Sequence, residues 1–553
     1  MSTSLEDDFR SIREKVLDKR PFLREIIRKR GQKNLYDYAK EYIEVNLNNP
    51  IRKRQDELIA TFREEVAVRL GDRIAKEAAV QLENYYYVST TDHHGPICHP
   101  FFINGNMMAA APYFEHNDPL LKYVIVLACA NVSLNNSSYP RGLIFNSFVD
   151  GKFTEHRIPF FPAKERLCPV YDHRAYTKED MEKFRQMLFG LVESGKVAKK
   201  EADKINEIVE DIYLDPKVLE SKSFSDQITR TNFKLWKEFF GSHEKKAPGL
   251  IYIDQEWIVA KLLIKHHLNE DTIIRHFLMD DRYEPLINYH FEGIMGAFSR
   301  NEKYGTYMFW GLPKGSKYRL QLWKEGNFLV SNDGKYKIEI TPDNLKKALE
   351  NKELIPSMML TFIVLSFYYG LKCLGGFSQV NYLTDMKNAY IKMLVDRGNY
   401  RSIEVCARAQ TKEMCGDMTI AYLGGPSGEM VPATGLDLIL YGDENTWPTL
   451  VQESKEIGLE EAINPMMPEF YSIVYNESQR NAALSYVTPT HVTKLIGLDK
   501  KIKACAQIRV PESRTAHSGL HTTNQSAPIG TADQSSTGNS AGKPKADPAP
   551  AST

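Results

Sequence analysis

The chain has 553 residues, with 71 Lys and Arg against 71 Asp and Glu, so its formal net charge at pH 7 is zero. Hydrophobic residues make up 42% of the sequence and aromatic residues 11%, which is enough to bury a large core. A neutral chain of this length excludes a protein held to nucleic acid or to an anionic membrane by bulk charge, and it indicates several folding units of about 150 residues each.

The cysteines and the apolar segments indicate a reduced, cytoplasmic protein. The seven cysteines form no C-x-x-C pair and no spacing typical of a disulfide framework. The N-terminal stretch mixes acidic and basic residues before any apolar run, which fits neither a secretory signal nor a transit peptide. The longest apolar stretch, residues 358–371, is shorter than the roughly 20 residues that cross a bilayer, so we expect it to be buried core.

The first predicted unit is a helical arm over residues 1–83. Its clearest pattern is an apolar residue at every fourth position from Leu58 to Ala78, which predicts a helix with one apolar face. Residues 84–175 are predicted to form the first part of an α/β core. Two β-prone runs, 85–91 and 123–130, flank a helical segment, and such a βαβ unit binds ligands beyond the carboxyl ends of its strands.

Residues 176–300 are predicted to be a helical insertion that opens with a charged helical hairpin. The second part of the core follows over residues 301–410, where short alternating runs separated by glycine-containing turns predict antiparallel hairpins. Residues 411–510 have a mixed α/β pattern. Residues 511–553 are rich in Ser, Thr, Gly, Pro and Ala and nearly lack large apolar residues, which predicts a disordered C-terminal tail.

The most unusual stretch is the run TDHHGPICHP at residues 91–100, where a strand should end and a helix begin. One interpretation is an anion site, because glycine permits close backbone approach, a helix N-terminus supplies amide donors and imidazoles neutralise charge. A second is a zinc or iron site made by His93, His94, Cys98 and His99. A third is that the histidines merely hold backbone groups in a buried turn.

Polar residues also follow the other predicted strands. Arg141 ends a polar loop after the 123–130 strand and can pair with a carboxylate. Gly375 and Gly376 form a strand-to-helix turn whose amides can face a ligand. The sequence contains no P-loop motif, no dinucleotide-binding G-x-G-x-x-G after a strand, no H-E-x-x-H and no G-x-S-x-G, so several common enzyme classes become poor candidates.

Taken in order, these elements resemble the bacillithiol-biosynthesis cysteine-adding enzyme family over roughly residues 85–410. Residues 89–109 resemble the family's first strand and Gly-Pro loop, residues 306–349 its hairpin segment, and residues 354–390 its later glycine turn. The positions that match in that turn are Gly375, Gly376, Gln379 and Tyr382. The resemblance implies a Rossmann-like parallel-sheet core with helical additions, and it leaves ATP or ADP open as a cofactor.

The sequence departs from the family pattern at three places. Asp92, His93 and His94 stand where the family has glycine and glutamines, and residues 131–136 replace an acidic and histidine cluster. The region after residue 410 does not resemble the family's coiled coil. A changed substrate is therefore expected, in place of cysteine and glucosaminyl malate.

The leading hypothesis is a cytoplasmic ligase-like or transferase-like enzyme that joins an amino-acid-like group, cysteine in the resembled family, to a small anionic metabolite. It expects no nucleic-acid or membrane partner and leaves a homo-oligomer open. The expected catalytic residues are His93, His94 and His99, and no metal ligand is assigned. The expected substrate-binding residues are Asp92, Gly95, Asn104, Asn106, Arg141, Gly375, Gly376, Gln379 and Tyr382.

Two alternatives stay open. One is a metal-dependent hydrolase that uses the His/Cys loop, and the other is a non-catalytic interaction protein with a degenerate enzyme core. The catalytic hypotheses share one requirement, which is that the histidine loop at 93–99 and the glycine turn at 375–379 meet in a single polar cleft.

Overall fold

The structure is a computed structural model, and it describes residues 4–44, 52–116 and 118–509. The predicted tail at 511–553 lies outside the described residues. The fold is mixed α/β, with a four-stranded parallel sheet among several smaller sheets. Among the described helices, none combines the length and the apolar character needed to span a membrane.

The chain opens with five helices. They are α1 (Leu5–Lys19), α2 (Pro21–Arg30), α3 (Leu35–Ile43), α4 (Arg52–Leu70) and α5 (Asp72–Asn84). The apolar recurrence from Leu58 to Ala78 spans two helices rather than one, because the chain turns at Gly71, whose φ of +91° lies in the left-handed region that favours glycine. The apolar face is nevertheless buried on both sides of the break, at Leu58, Phe62 and Ala78 among others.

The next segment begins the parallel sheet. It contains β1 (Tyr87–Ser89), α6 (Pro100–Ala110), α7 (Tyr113–His116), β2 (Tyr123–Ala128), β3 (Gly142–Val149) and β4 (Lys152–Pro159). The antiparallel hairpin β3–β4 is absent from the sequence analysis, although its turn carries a hairpin signature. Asp150 and Gly151 both have positive φ, 51° and 76°, as the two central residues of a type I′ turn require.

The segment predicted to be a helical insertion contains seven α-helices and a six-residue strand, before a first short hairpin begins at residue 298. They are α8 (Lys178–Glu193), α9 (Lys199–Ile208), α10 (Pro216–Leu219), α11 (Phe224–Glu238), β5 (Gly249–Asp254), α12 (Gln255–Leu262), α13 (Ile273–Met279) and α14 (Glu284–Phe291). The all-helical prediction is wrong for β5, which pairs in parallel with β2 along its whole length. A six-residue apolar run is ambiguous between a buried strand and a buried helix, and its neighbours in sequence are helical.

Hairpins and helices alternate over the next hundred residues, as the sequence predicts. They are β6 (Phe298–Ser299), β7 (Tyr304–Gly305), β8 (Phe309–Gly311), β9 (Leu320–Glu325), β10 (Phe328–Ser331), β11 (Lys337–Glu339), α15 (Pro342–Glu350), β12 (Leu354–Pro356), α16 (Met358–Phe362), β13 (Lys372–Leu374), α17 (Gln379–Asp396) and α18 (Tyr400–Arg408). Thr341 caps α15 by accepting a hydrogen bond from the Asn344 amide. Three π-helical segments, Val209–Tyr213, Leu263–His267 and Ile363–Tyr368, continue preceding helices.

The remaining elements form a small three-stranded sheet and a group of short helices. They are β14 (Tyr422–Gly424), β15 (Met430–Pro432), α19 (Gly435–Tyr441), α20 (Thr446–Glu456), α21 (Leu459–Ile463), α22 (Met467–Val474), α23 (Pro489–Leu495) and β16 (Ala506–Gln507). Seven of the nine buried residues of α1 and α22 belong to one apolar cluster, so this region packs back onto the N-terminal arm.

The parallel sheet has the order β13-β1-β2-β5 and separates two apolar cores. Along β2, Val124 and Val126 belong to one core while Ile125 and Leu127 belong to the other, as the two-residue alternation of a strand requires. Helix α6 contributes to the first core and α12 to the second. Both faces of the sheet are therefore covered, and its carboxyl edge is where functional groups can collect.

Candidate functional site

A cavity of about 280 Å³ lies beyond the carboxyl ends of the parallel strands. Each strand contributes the residues that follow it, and they are Thr90, Thr91 and His93 after β1, Cys129 and Asn131 after β2, Gln255 and Glu256 after β5, and Gly376 to Gln379 after β13. Ligands of open α/β sheets bind at this edge. The volume lies near the lower end of the range of about 300–1,000 Å³ found for ligand pockets, so the cavity suits a small metabolite.

The histidine loop and the glycine turn meet in this cavity. His93 and His99 line it together with Gly376, Gln379 and Tyr382. The side chain of Gln379 donates a hydrogen bond from Nε2 to Thr90 Oγ1 at 2.6 Å, which ties the turn after β13 to the end of β1. The two segments are neighbours because β13, although last in sequence among the parallel strands, pairs with β1.

Arg319, which lies just before β9, supplies the positive charge of the cavity. It is the one Lys or Arg among the described residues that line the cavity, and no described carboxylate lies within 4 Å of its guanidinium. Its Nη1 donates to Asn131 Oδ1 at 2.7 Å, and the guanidinium stacks on Trp310, 4.1 Å from the ring centre. Burial lowers the pKa of Arg319, which marks a charge that water does not fully solvate.

An acidic wall lies close to Arg319 at the end of β5. Glu256 accepts hydrogen bonds from the Ala130 amide at 2.8 Å, from Cys129 Sγ at 3.1 Å and from Gln255 Nε2 at 3.2 Å. The other amide atom, Gln255 Oε1, is buried and has no partner among the described residues, although the side chain belongs to the cavity lining. A buried acceptor without a donor costs free energy, so this wall favours a ligand that donates an N–H or O–H.

Asp417 provides a second carboxyl group in the cavity lining, next to the turn after β13. Its Oδ2 accepts the Phe377 amide at 2.7 Å, and burial raises its pKa to about 6. Asp417 has a φ of +65°, which is uncommon for a residue with a side chain. A Cβ at position 376 would lie 2.4 Å from Asp417 Oδ2, so any residue other than glycine there would displace this carboxylate.

The two cavity histidines are each held through Nδ1. His93 Nδ1 lies 2.6 Å from Asn136 Oδ1 and 3.0 Å from Ser138 Oγ, while His99 Nδ1 accepts the Phe101 amide at 3.3 Å and so caps α6. Burial lowers the pKa of His93 to about 4 and that of His99 to about 3. Both imidazoles are therefore neutral at pH 7.

His94 lies outside the cavity, although the sequence analysis places it with the catalytic residues. Its ring is completely buried and stacks on Tyr252 with ring centres 5.4 Å apart. Its Nε2 lies 3.1 Å from both the carbonyl oxygen and the hydroxyl of Ser225. Adjacent residues of an extended segment point in opposite directions, so His93 facing the cavity leaves His94 in the core.

Three polar residues of the predicted site lie behind the cavity wall. Asp92 accepts a hydrogen bond from Asn106 Nδ2 at 2.8 Å, and both side chains are buried. Asn104 Oδ1 accepts the amides of Ile420 and Ala421 at 2.6 and 2.7 Å, which fixes the chain before β14. These contacts hold the loop in shape and leave no group of Asn104 or Asn106 in the cavity lining.

The other three predicted residues also stabilise the wall of the cavity and do not line it. Arg141 Nε donates to the Phe161 carbonyl at 2.7 Å. A Cβ at position 95 would lie 2.7 Å from the Cα of Pro140, so Gly95 permits two loops to pack closely. Gly375 donates its amide to the Glu413 carbonyl at 3.0 Å. The positive charge expected from Arg141 is thus supplied by Arg319.

The proposed metal ligands do not converge. Cys98 and His94 are buried in the core, whereas His93 and His99 line the cavity. Within the described part of the chain, no group of three or more His, Cys, Asp or Glu side chains is arranged to hold a metal ion. Burial raises the pKa of Cys98 to about 12, so its thiol is protonated and a poor nucleophile.

The sequence does not point to several residues of the cavity, among them the charged or amide side chains of Gln255, Glu256, Arg319 and Asp417. A signal exists for the first two, because GLIYIDQE is a short apolar run that ends on acidic residues, as a buried strand with a functional end does. Arg319 and Asp417 carry no comparable local signal. A scan against protein-family models and a search of curated proteins each find no match for this chain.

Proposed function

We propose that this chain is a cytoplasmic enzyme of the ligase or transferase type, which joins an amino-acid-like group to a small anionic metabolite in the cavity at the sheet edge. The observation that carries the proposal is the guanidinium of Arg319, which is half-buried, lines the cavity and forms no ion pair within 4 Å with a described carboxylate, although Glu256 attracts it from farther away. A carboxylate or phosphate of the substrate would supply a direct counter-charge.

The distribution of charge along the sheet edge supports two ligand groups. Arg319 is anchored at the end of β2 through Asn131, and Asp417 is anchored beside the end of β13. One strand, β1, lies between β2 and β13, and neighbouring strands are about 4.8 Å apart, so the two strand ends that anchor these groups are roughly 10 Å apart. An anionic group at Arg319 and an amino group at Asp417 would then flank the loop that carries His93.

The Rossmann-like character of the core belongs to the same proposal. The order β13-β1-β2-β5 and the coverage of both faces by helices support it, as does the family resemblance. ATP or ADP as a cofactor is less well supported by the lining. One guanidinium stands there with the carboxylates of Glu256 and Asp417, which is a poor counter-charge for a polyphosphate.

The test is ligand-induced stabilisation of the full-length protein, followed by calorimetric titration. The probes are glycine, serine, cysteine, acetate, malonate, inorganic phosphate, ADP and ATP, each over a range of concentrations. A probe at 100 times its Kd should stabilise the protein by about 2.7 kcal/mol. We expect the small carboxylates and amino acids to stabilise the protein. Arg319→Gln should weaken their binding at least tenfold, and Arg319→Lys should weaken it less.

Arg141→Gln is the matched control, because it removes a guanidinium that the sequence predicts to bind substrate but that lies outside the cavity. It should leave binding within twofold of the unchanged protein. An equal loss of probe affinity in Arg141→Gln and Arg319→Gln would contradict the assignment of Arg319 as the anion-binding residue. No response to any probe would favour the non-catalytic interaction protein.

A further inference from the structure

The hydrogen bonds of His93 determine which of its nitrogens carries the proton. Asn136 Oδ1 accepts the backbone amide of Ser138 at 3.2 Å, and a backbone N–H can only donate, so this atom is the oxygen and the Asn136 amide cannot be turned round. The same oxygen lies 2.6 Å from His93 Nδ1. Nδ1 must therefore donate, and the neutral ring keeps its lone pair on Nε2.

The same reasoning gives the opposite result for His99. Its Nδ1 accepts the backbone amide of Phe101 at 3.3 Å, so Nδ1 holds the lone pair and Nε2 carries the proton. No described group bonds to Nε2 of either histidine. Both rings pack against Phe102, with ring centres 5.6 Å and 5.4 Å from it, and both line the cavity.

We propose that His93 and His99 form a catalytic pair with fixed and opposite tautomers, in which His93 Nε2 accepts a proton and His99 Nε2–H donates a hydrogen bond. This inference rests on the proposed function, since it assigns roles within that cavity. Asn136 is a positioning residue, because it acts through His93.

The pair fits transfer of an acyl group from an activated donor, an acyl phosphate or a thioester, to an amine. The amine nitrogen attacks the acyl carbon and forms the new C–N bond, and His93 Nε2 takes the proton that the nitrogen loses. His99 Nε2–H donates to the acyl oxygen while negative charge develops on it. The bond to the leaving group breaks with its electron pair, and the proton held by His93 is released to that group.

The first measurement is the tautomeric state of the two rings, by long-range ¹H–¹⁵N spectra of full-length protein labelled with ¹⁵N-histidine. Signals are assigned with His93→Gln and with His99→Asn, which keeps a residue suited to cap α6. We expect His93 to be protonated on Nδ1 and His99 on Nε2. Asn136→Ala should remove the preference at His93 and leave that at His99 unchanged.

Asn135→Ala is the matched control, since Asn135 is the exposed neighbour of Asn136 and its side chain makes no described hydrogen bond to His93. A second measurement uses diethyl pyrocarbonate, which acylates an imidazole lone pair. His93 should react at least tenfold faster than His99 at pH 7, and Asn136→Ala should narrow that ratio.

Two results would overturn the inference. One is the same tautomer in both rings, and the other is an equal effect of Asn135→Ala and Asn136→Ala. Neither measurement depends on a ligand or on Arg319. Fixed, opposite tautomers without any ligand response would thus support the tautomer assignment and count against the proposed function. A ligand response with mixed tautomers would support the proposed function and contradict the tautomer assignment.

Discussion

Replacing His94 by alanine should destabilise the protein rather than act on the cavity. The imidazole is fully buried between Tyr252 and Ser225 and lies outside the cavity lining. The sequence alone places His94 among the catalytic residues and expects loss of turnover with unchanged stability. The structure predicts instead that stability falls and that binding in the cavity is unchanged.

The magnitude follows from the contacts of the ring. The ring donates one proton from Nε2, shared between the carbonyl oxygen and the hydroxyl of Ser225 at 3.1 Å each, and losing this hydrogen bond costs about 1 kcal/mol. Cutting a buried ring back to a methyl group adds about 3 kcal/mol for lost burial and the remaining cavity. His94 Nδ1 is buried without a partner, and its removal returns about 2 kcal/mol. The net loss of unfolding free energy is therefore about 2 kcal/mol.

The assay is urea unfolding of the full-length protein, with His99→Asn as the control in the same loop. His99→Asn keeps the helix cap and should stay within about 1 kcal/mol of the unchanged protein. The folded His94→Ala protein should bind carboxylate probes as the unchanged protein does. A His94→Ala variant as stable as the unchanged protein, with binding abolished, would refute the reasoning and return His94 to the site.

Two further substitutions test the wall of the cavity. Burial raises the pKa of Asp92 to about 7 from an ordinary 3.8, so the native state binds this proton more tightly than the unfolded chain and loses stability as pH rises through that interval. Asp92→Asn cannot ionise, so its unfolding free energy relative to that of the unchanged protein should rise by on the order of 4 kcal/mol from pH 4 to pH 8 in urea titrations. If the unfolding free energies of the two proteins changed with pH in parallel, this prediction would be contradicted. Gly376→Ala should reduce both thermal stability and probe binding, because its Cβ meets Asp417. Gly190→Ala, in an exposed helix with no atom near the added methyl group, should instead gain about 1 kcal/mol, and a loss of equal size in both variants would exclude the contact with Asp417 as the cause.

The parts of the fold that follow from sequence are those fixed by local chemistry. Thr341 followed by Pro342 predicts the start of α15, and the structure confirms it. Strand β5 could not be separated from its helical neighbours, since all six residues from Gly249 to Asp254 are at least partly buried and no alternation of polar residues marks a solvent face. The hairpin β3–β4 also has a local signal in its sequence, the Asp150-Gly151 turn.

The candidate site, too, could be predicted only where local sequence determines it. The sequence pointed to the segments that form the cavity, because strand ends are polar and the strands are apolar, but it could not tell which of His93 and His94 faces the cavity. That choice depends on one residue of register in an extended segment. Arg319 could not be found in this way, since it reaches Asn131 across 188 positions of sequence from a hairpin that reads as ordinary surface.

Burial has opposite consequences for the guanidinium and the imidazoles, and this supports the proposal that the guanidinium, and not the imidazoles, binds an anion. His93 and His99 avoid the cost of an unsolvated charge by losing a proton, as their lowered pKa values of about 4 and about 3 record. Arginine cannot lose its proton at any physiological pH, so the cost at Arg319 persists until an anion arrives. In the proposed function, the histidines that the sequence assigns to the anionic substrate are thereby free to act on protons, and the fixed positive charge is that of Arg319, which is held at the end of β2 by Asn131.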